Sequence, residues 1–152
     1  MNIANILGLK TERFCKMCVN TKMLLSNIIG HAAELQYEKY LNNNSIKFIK
    51  ADVDKHYDYV VDKKREQVKR YEVSSSNLKR VAVNLTQTHG DRSAQDAFYK
   101  VNSFDILVIC DLGLKTFIKM DIDDVTRHPK YPDHLAAKQI IKRDFNSIDS
   151  FD

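Results

Sequence analysis

Leu25, Ile28, Ile29, Ala32, Ala33, Tyr37, Tyr40 and Leu41 recur at the three-and-four spacing of one helical face, which predicts a helix over 21–41. Thr21 is placed to cap its start, and Asn42, Asn43 and Asn44 to stop it. Ahead of it, Ile3, Ile6, Leu7, Phe14, Met17 and Cys18 fit one or two short helices, an extension over 1–20. Past the asparagines the period changes to two. Residues 45–50 alternate as a half-buried strand, 57–61 are β-branched and aromatic, and the chain extends again over 67–73 beyond a polar turn at 62–65. A third short strand is expected over 81–85, a polar loop over 86–95 and a short helix over 94–99. The apolar run 104–110 is of the kind covered on both faces, so it is assigned to the centre of the sheet, with 115–120 paired to it as a hairpin across 111–114. After an irregular stretch, Asp133 is placed to cap a last helix carrying Leu135, Ala136, Ile140, Ile141 and Phe145, with a basic side of Lys138, Lys142 and Arg143. Residues 146–152 read as a frayed, flexible tail. These elements predict an α/β fold, a mixed central sheet flanked by helices.

Length and composition narrow this to one domain spanning 1–152. A chain of 152 residues, 43% hydrophobic and 29% charged with four Gly and two Pro, is large enough to bury roughly two-thirds of its unfolded surface. No apolar run approaches the roughly 18 residues of a membrane helix and no signal-peptide core opens the chain, so no membrane partner and a cytoplasmic location are expected. Three cysteines, an odd count with Cys110 in an apolar strand, fit a reducing compartment. Cys15 and Cys18 form a C-x-x-C pair, but no second pair or close histidines complete a zinc site; the plain alternative is two small residues on a helix.

The chemistry concentrates in the hairpin over 57–73. Side chains alternate along a strand, so Gln67 and Lys69 share a face, and the turn can fold that face beside Asp58. Asp58 and Gln67 then offer oxygen ligands to a hard divalent cation, while Lys69 can steer or stabilise an attacking water or a phosphate. Asp52 and Asp54 lie in the polar connector and are set aside in favour of Asp58. Glu66 and Glu72 point to the other face and are expected to be solvated or paired with the basic cluster around them, Lys63 to Arg80; Asp105 and Asp111 read as structural.

At these positions the chain resembles the PD-(D/E)XK nuclease superfamily, whose signature is an acid ending one strand and (Asp/Glu)-x-Lys on the next. Asp58 followed by Gln67-Val68-Lys69 matches it with two departures: no proline precedes Asp58, and Gln67 stands for the second acid. Q-x-K in that place is similar to the variant of a homing endonuclease encoded by a group I intron and of some restriction-like relatives. The resemblance extends to the order of elements over 21–118. It implies a restriction-endonuclease-like fold and a Mg²⁺-dependent endonuclease in which Mn²⁺ can substitute, with Asp58, Gln67 and Lys69 catalytic. In Gly30-His31-Ala32-Ala33-Glu34, Glu34 looks like the helical Glu that faces the metal; the alternative is an exposed helical Glu, and His31 is read as incidental surface.

Charge points to the same class of partner. Net charge is +4, but between residues 63 and 80 Lys63, Lys64, Arg65, Lys69, Arg70, Lys79 and Arg80 stand against Glu66 and Glu72, a formal +5. Such a cluster suits the phosphates of double-stranded DNA, although a basic run can also be mere solvated surface. Gln87, His89, Arg92 and Gln95 in the polar loop carry the groups that read base edges, a composition that an ordinary surface loop also has. One catalytic group per chain and two strands to cut imply a homodimer or homotetramer. The rival expectation is a catalytically weak or inactive DNA-binding domain, or a structure-selective repair nuclease, on the same fold.

Overall fold

Helix α1, Val19–Asn43, buries one narrow line of side chains: Ile29, Ala33, Tyr37 and Leu41, four residues apart and each no more than 2% exposed. Ile28, expected on the buried face, points outward at 52% exposure. The helix ends where Ser45 takes a left-handed conformation (φ 55°) and Ile46 N–H closes back on the Leu41 carbonyl at 2.9 Å, a Schellman-type stop just past the three asparagines. Thr21 lies inside the helix rather than capping it. The computed structural model describes residues 19–52, 54–70, 72–73, 80–86, 97–111, 116–142 and 149–150. The extension over 1–18, with Cys15 and Cys18, lies outside them.

The chain then builds a mixed sheet. Strand β1 (Phe48–Lys50) pairs antiparallel with β2 (Tyr59–Val61), and β2 pairs antiparallel with β3 (Lys64–Arg70). The turn between β2 and β3 is only Asp62 and Lys63, both at positive φ (49° and 66°), the geometry of a type I′ hairpin; Lys64 and Arg65, expected in the turn, already pair with Val61 and Val60. Strand β3 runs parallel to β6 (Ile106–Asp111), which pairs antiparallel with β7 (Thr116–Asp121); with β9 (Asp149–Ser150) the order is β1-β2-β3-β6-β7-β9. The expected single strand over 67–73 is divided: β4 (Glu72–Val73) leaves the large sheet for a smaller antiparallel one with β5 (Arg80–Asn84) and β8 (Lys138–Lys142), in the order β4-β5-β8.

Two apolar clusters cover the faces of the large sheet. Toward α1 lie Tyr59, Val61, Val68, Val108, Cys110 and Phe117, packed on Ala33, Tyr37 and Leu41. On the opposite face Leu107 and Ile109 meet Val83, Leu85, Tyr99, Phe104, Val125 and Leu135. Leu107, Val108, Ile109 and Cys110 are each at most 1% exposed, so β6 is the doubly covered strand that its apolar run predicts.

Three expectations are corrected. Residues 97–100 form a turn and isolated bridges, Thr86 to Phe98 and Lys100 to His134, where a short helix was expected. The last helix is replaced by β8: Asp133 caps no helix, its carbonyl accepts from Val101 N–H, and Ile140 and Ile141 pair with Ala82 and Val81. The side of β5 away from β4 offered unpaired backbone groups, and filling them outweighed a helical spacing that also reads as strand. Within the tail expected to fray, β9 (Asp149–Ser150) pairs with Phe117 and Thr116. No helix among the described residues is long and apolar enough to cross a membrane.

Leu135 is fully buried and Ile140 is 65% exposed. Leu135→Ala should therefore cost about 2–4 kcal/mol in urea unfolding and Ile140→Ala under about 0.5 kcal/mol. Equal losses, as a shared helical face would give, would contradict the strand.

Candidate active site

The register of the β2–β3 hairpin decides which side chains meet. Tyr59 faces Glu66, and one step beyond the paired residues Asp58 N–H also turns to the Glu66 carbonyl at 2.9 Å, so the regular register ends there. Here the strands part, and the Asp58 carboxylate fills the gap: Oδ2 accepts from Gln67 Nε2 at 2.7 Å and from Val68 backbone N–H at 2.7 Å. From the β1 side, Ala51 N–H donates to the Asp58 carbonyl at 2.9 Å. Gln67 is buried, and its Nε2 also reaches the Val68 carbonyl at 3.2 Å. With that nitrogen turned toward Asp58, Oε1 is the amide atom able to act as a ligand. Two residues on, half-buried Lys69 lies on the same face, its ammonium 5.3 Å from the centre of the Tyr99 ring.

Glu34 approaches from α1. Its carbonyl accepts from the Tyr59 hydroxyl at 3.1 Å, and its partly exposed carboxylate lies 3.4 Å from Nδ1 of exposed His31. Burial first, and then the Glu34 charge, push the Asp58 carboxyl up to about 6, against the pull of the Val68 N–H, Lys69 and Lys50. The two like charges raise the proton affinity of Asp58, an effect that a cation would relieve. The oxygen donors, Asp58, Gln67 Oε1 and Glu34, suit a hard divalent ion. Among the described residues no cluster of three or more His, Cys, Asp or Glu is placed to hold a metal, so the amide oxygen would have to complete the set.

The other acids are accounted for. Asp52 and Asp54 are exposed, Asp54 beside Lys55 at 3.7 Å. Glu66 does point away from Gln67 and Lys69, but it is neither solvated nor paired with the basic cluster: 3% exposed, it accepts from the Tyr37 hydroxyl at 2.6 Å and from Lys119 Nζ at 2.8 Å. That network bolts β3 to α1 and β7 directly behind the site. Asp105 takes Arg65 in a two-pronged pair (Nη2 to Oδ1 2.8 Å, Nε to Oδ2 3.0 Å) and also accepts the Arg65 backbone N–H at 2.7 Å. Asp111 is buried.

The basic cluster is dispersed. Lys63 and Lys64 stand exposed at the hairpin tip. Arg65, assigned to DNA from its sequence position, is instead taken up by Asp105 and by the Asn102 carbonyl at 2.8 Å, because the parallel β3–β6 pairing brings that loop beneath it. Arg70 reaches across to Ser26 Oγ on α1 at 3.0 Å, on the face opposite Lys69. Arg80 opens β5 with its side chain undescribed; Lys79 and the readout residues Gln87, His89, Arg92 and Gln95 lie outside the described residues.

Sequence reasoning missed the rim. Lys50 pairs with Glu38 at 3.0 Å, and Glu38 also accepts from the Tyr59 hydroxyl at 3.1 Å. Glu38 follows Glu34 by one helical turn, so its presence on that side was readable from spacing. Tyr99 beneath Lys69 left no such signal.

No family model and no curated protein matches the chain. Among solved structures, a bacterial homing endonuclease, I-Ssp6803I, is similar with a TM-score of 0.56 at 18% identity, over 79% of this chain and 80% of that one. The likeness is one of fold. This chain is a mixed α/β protein with a central mixed sheet and a helix, similar to that endonuclease.

Because Asp58 sits near 6 in the fold against an ordinary 3.8, the folded chain binds more protons than the unfolded one across that window. Its stability contribution therefore falls as pH rises from 3.8 to about 6. Metal-free Asp58→Asn should exceed wild type by about 1–2 kcal/mol near pH 7.5, allowing for screening, and by nothing near pH 4. Urea unfolding at the two pH values checks this, and a gain of the same size at both would contradict the burial account.

Proposed function

We propose that the chain is a metal-dependent endonuclease hydrolysing phosphodiester bonds of double-stranded DNA, of the homing or restriction type. The observation that carries the reading is the meeting of Asp58 with Gln67 at the parting of β2 and β3, with Lys69 on the face of Gln67 and the charges of Lys69 and Glu34 both acting on Asp58. The fold-level likeness to a homing endonuclease supports it. Asp58 and Gln67, helped by Glu34, would hold Mg²⁺, with Mn²⁺ as a substitute; such an ion supplies positive charge at the scissile phosphate and makes a bound water more acidic. The chain's own residues do the rest. Val68 N–H and Gln67 Nε2 fix the Asp58 carboxylate, and Lys69 brings a positive charge to the nucleophile or the phosphate. Exposed Lys63 and Lys64 offer phosphate contacts nearby. Gln67 adds no negative charge, so one weakly held ion fits better than a pair.

The rival, a DNA-binding domain with weak or no cleavage, is favoured by one observation: the position of the second acid is an amide that spends its nitrogen on Asp58. Plasmid cleavage in Mg²⁺ and Mn²⁺ separates the two. Asp58→Ala and Lys69→Ala should each slow nicking by at least about 10²-fold while DNA affinity changes only a few-fold. Binding without metal-dependent nicking would favour the rival, and full activity in either variant would overturn the site.

One site per chain cuts one strand, and antiparallel strands call for two sites related by a two-fold axis. The active species is accordingly a homodimer, or a homotetramer containing such a pair. Light scattering with and without DNA should show at least two chains together; a monomer in both states that still makes concerted double-strand breaks would contradict it.

A further inference from the structure

We infer that Tyr99 is a positioning residue for Lys69, its ring holding the ammonium beside Asp58 and Gln67. This rests on the reading of Lys69 as part of a cleavage site. A lysine head is a compact charge on a flexible stem, so something must restrict it if it is to act at one place. Two other lysines of this sheet are held by carboxylates: Lys50 by Glu38 at 3.0 Å, and Lys119 by Glu66 at 2.8 Å with the centre of the Tyr37 ring 5.4 Å from its ammonium as well. Lys69 makes no ion pair with a described residue. Its ammonium stands instead over the Tyr99 ring, 5.3 Å from the centroid. The negative face of an aromatic ring attracts a cation, leaves the charge uncancelled and uses none of its N–H groups on an oxygen. All three remain available to a phosphate or a water.

The platform is buried and packed on several sides. Tyr99 is 6% exposed, its ring meets Phe104 edge-on at 5.6 Å and 74°, and His56 approaches it at 6.4 Å and 86°. Its carbonyl accepts from Leu135 N–H at 2.7 Å, while the flanking Phe98 and Lys100 bridge to Thr86 and His134. The ring therefore belongs to the second core, and that core reaches the site through it. A phenylalanine would keep the aromatic face, whereas a leucine would keep the bulk and lose the face.

Three variants test the assignment: Tyr99→Phe, Tyr99→Leu, and Phe104→Leu, which loosens the same cluster without removing the ring beneath Lys69. In metal-free, DNA-free protein, the ring-current shift of the Lys69 ε-methylene protons should persist in Y99F and F104L and vanish in Y99L. In single-turnover cleavage, Y99L should lower the maximal rate about tenfold with DNA affinity unchanged, and Y99F should stay within about twofold of wild type. An unshifted methylene signal in wild type, wild-type cleavage by Y99L, or an equal loss in F104L at matched stability would each overturn the assignment. If wild-type protein cuts no DNA, the endonuclease reading falls with its catalytic consequence, and the proton shift still decides the contact.

Discussion

A two-residue turn fixes the register of the hairpin that carries the candidate site. With Asp62 and Lys63 both left-handed, Val61 must face Lys64 and Tyr59 must face Glu66, and Asp58, just past the last pair, meets the Gln67 side chain. A slip of one residue would exchange the faces of β3: Glu66 and Val68 would leave the α1 cluster, and Gln67 and Lys69 would enter it. Both faces resist that slip. Val68 and the Glu66–Tyr37–Lys119 network hold one side, and the Arg65–Asp105 pair ties the strand to the segment before β6. The register brings Asp58 to Gln67, and the bonds from Val68 N–H and Ala51 N–H hold it there.

The charges around the hairpin divide into those with a counter-charge in contact and those without one among the described residues. Glu66, Asp105 and Glu38 each have a cation of their own at 2.8 to 3.0 Å. Among the described residues the Asp58 carboxylate has only N–H donors in direct contact, and burial and the Glu34 charge raise its proton affinity. Removing water from a carboxylate without supplying a cation costs stability, which proteins tolerate where a ligand restores the balance. In this account the hairpin is folded around that deficit.

Local pattern made α1 and the hairpin legible. Ile29, Ala33, Tyr37 and Leu41 repeat along one line, and the β-branched run ending at Val61 precedes a polar turn. Asp58, Gln67 and Lys69 followed from strand alternation, since the period of two assigns faces without tertiary information. The partners of the charged residues were illegible for the opposite reason. Glu66 bonds to Tyr37 and Lys119, 29 and 53 residues away, and Arg65 to Asp105 at 40, distances that no local rule spans. The C-terminal strand failed differently: Leu135, Ala136, Ile140 and Ile141 satisfy a helical spacing, and only the open side of β5 decides for a strand.

Titration of Mn²⁺ into the protein, followed by the loss of free-ion paramagnetic resonance signal, tests the central claim most directly. Wild type should bind one ion per chain weakly, Asp58→Ala should bind none at this site, and Gln67→Glu, which adds a charge to the same oxygen set, should bind more tightly than wild type. Binding that is unchanged in both variants would place any metal elsewhere and contradict the account.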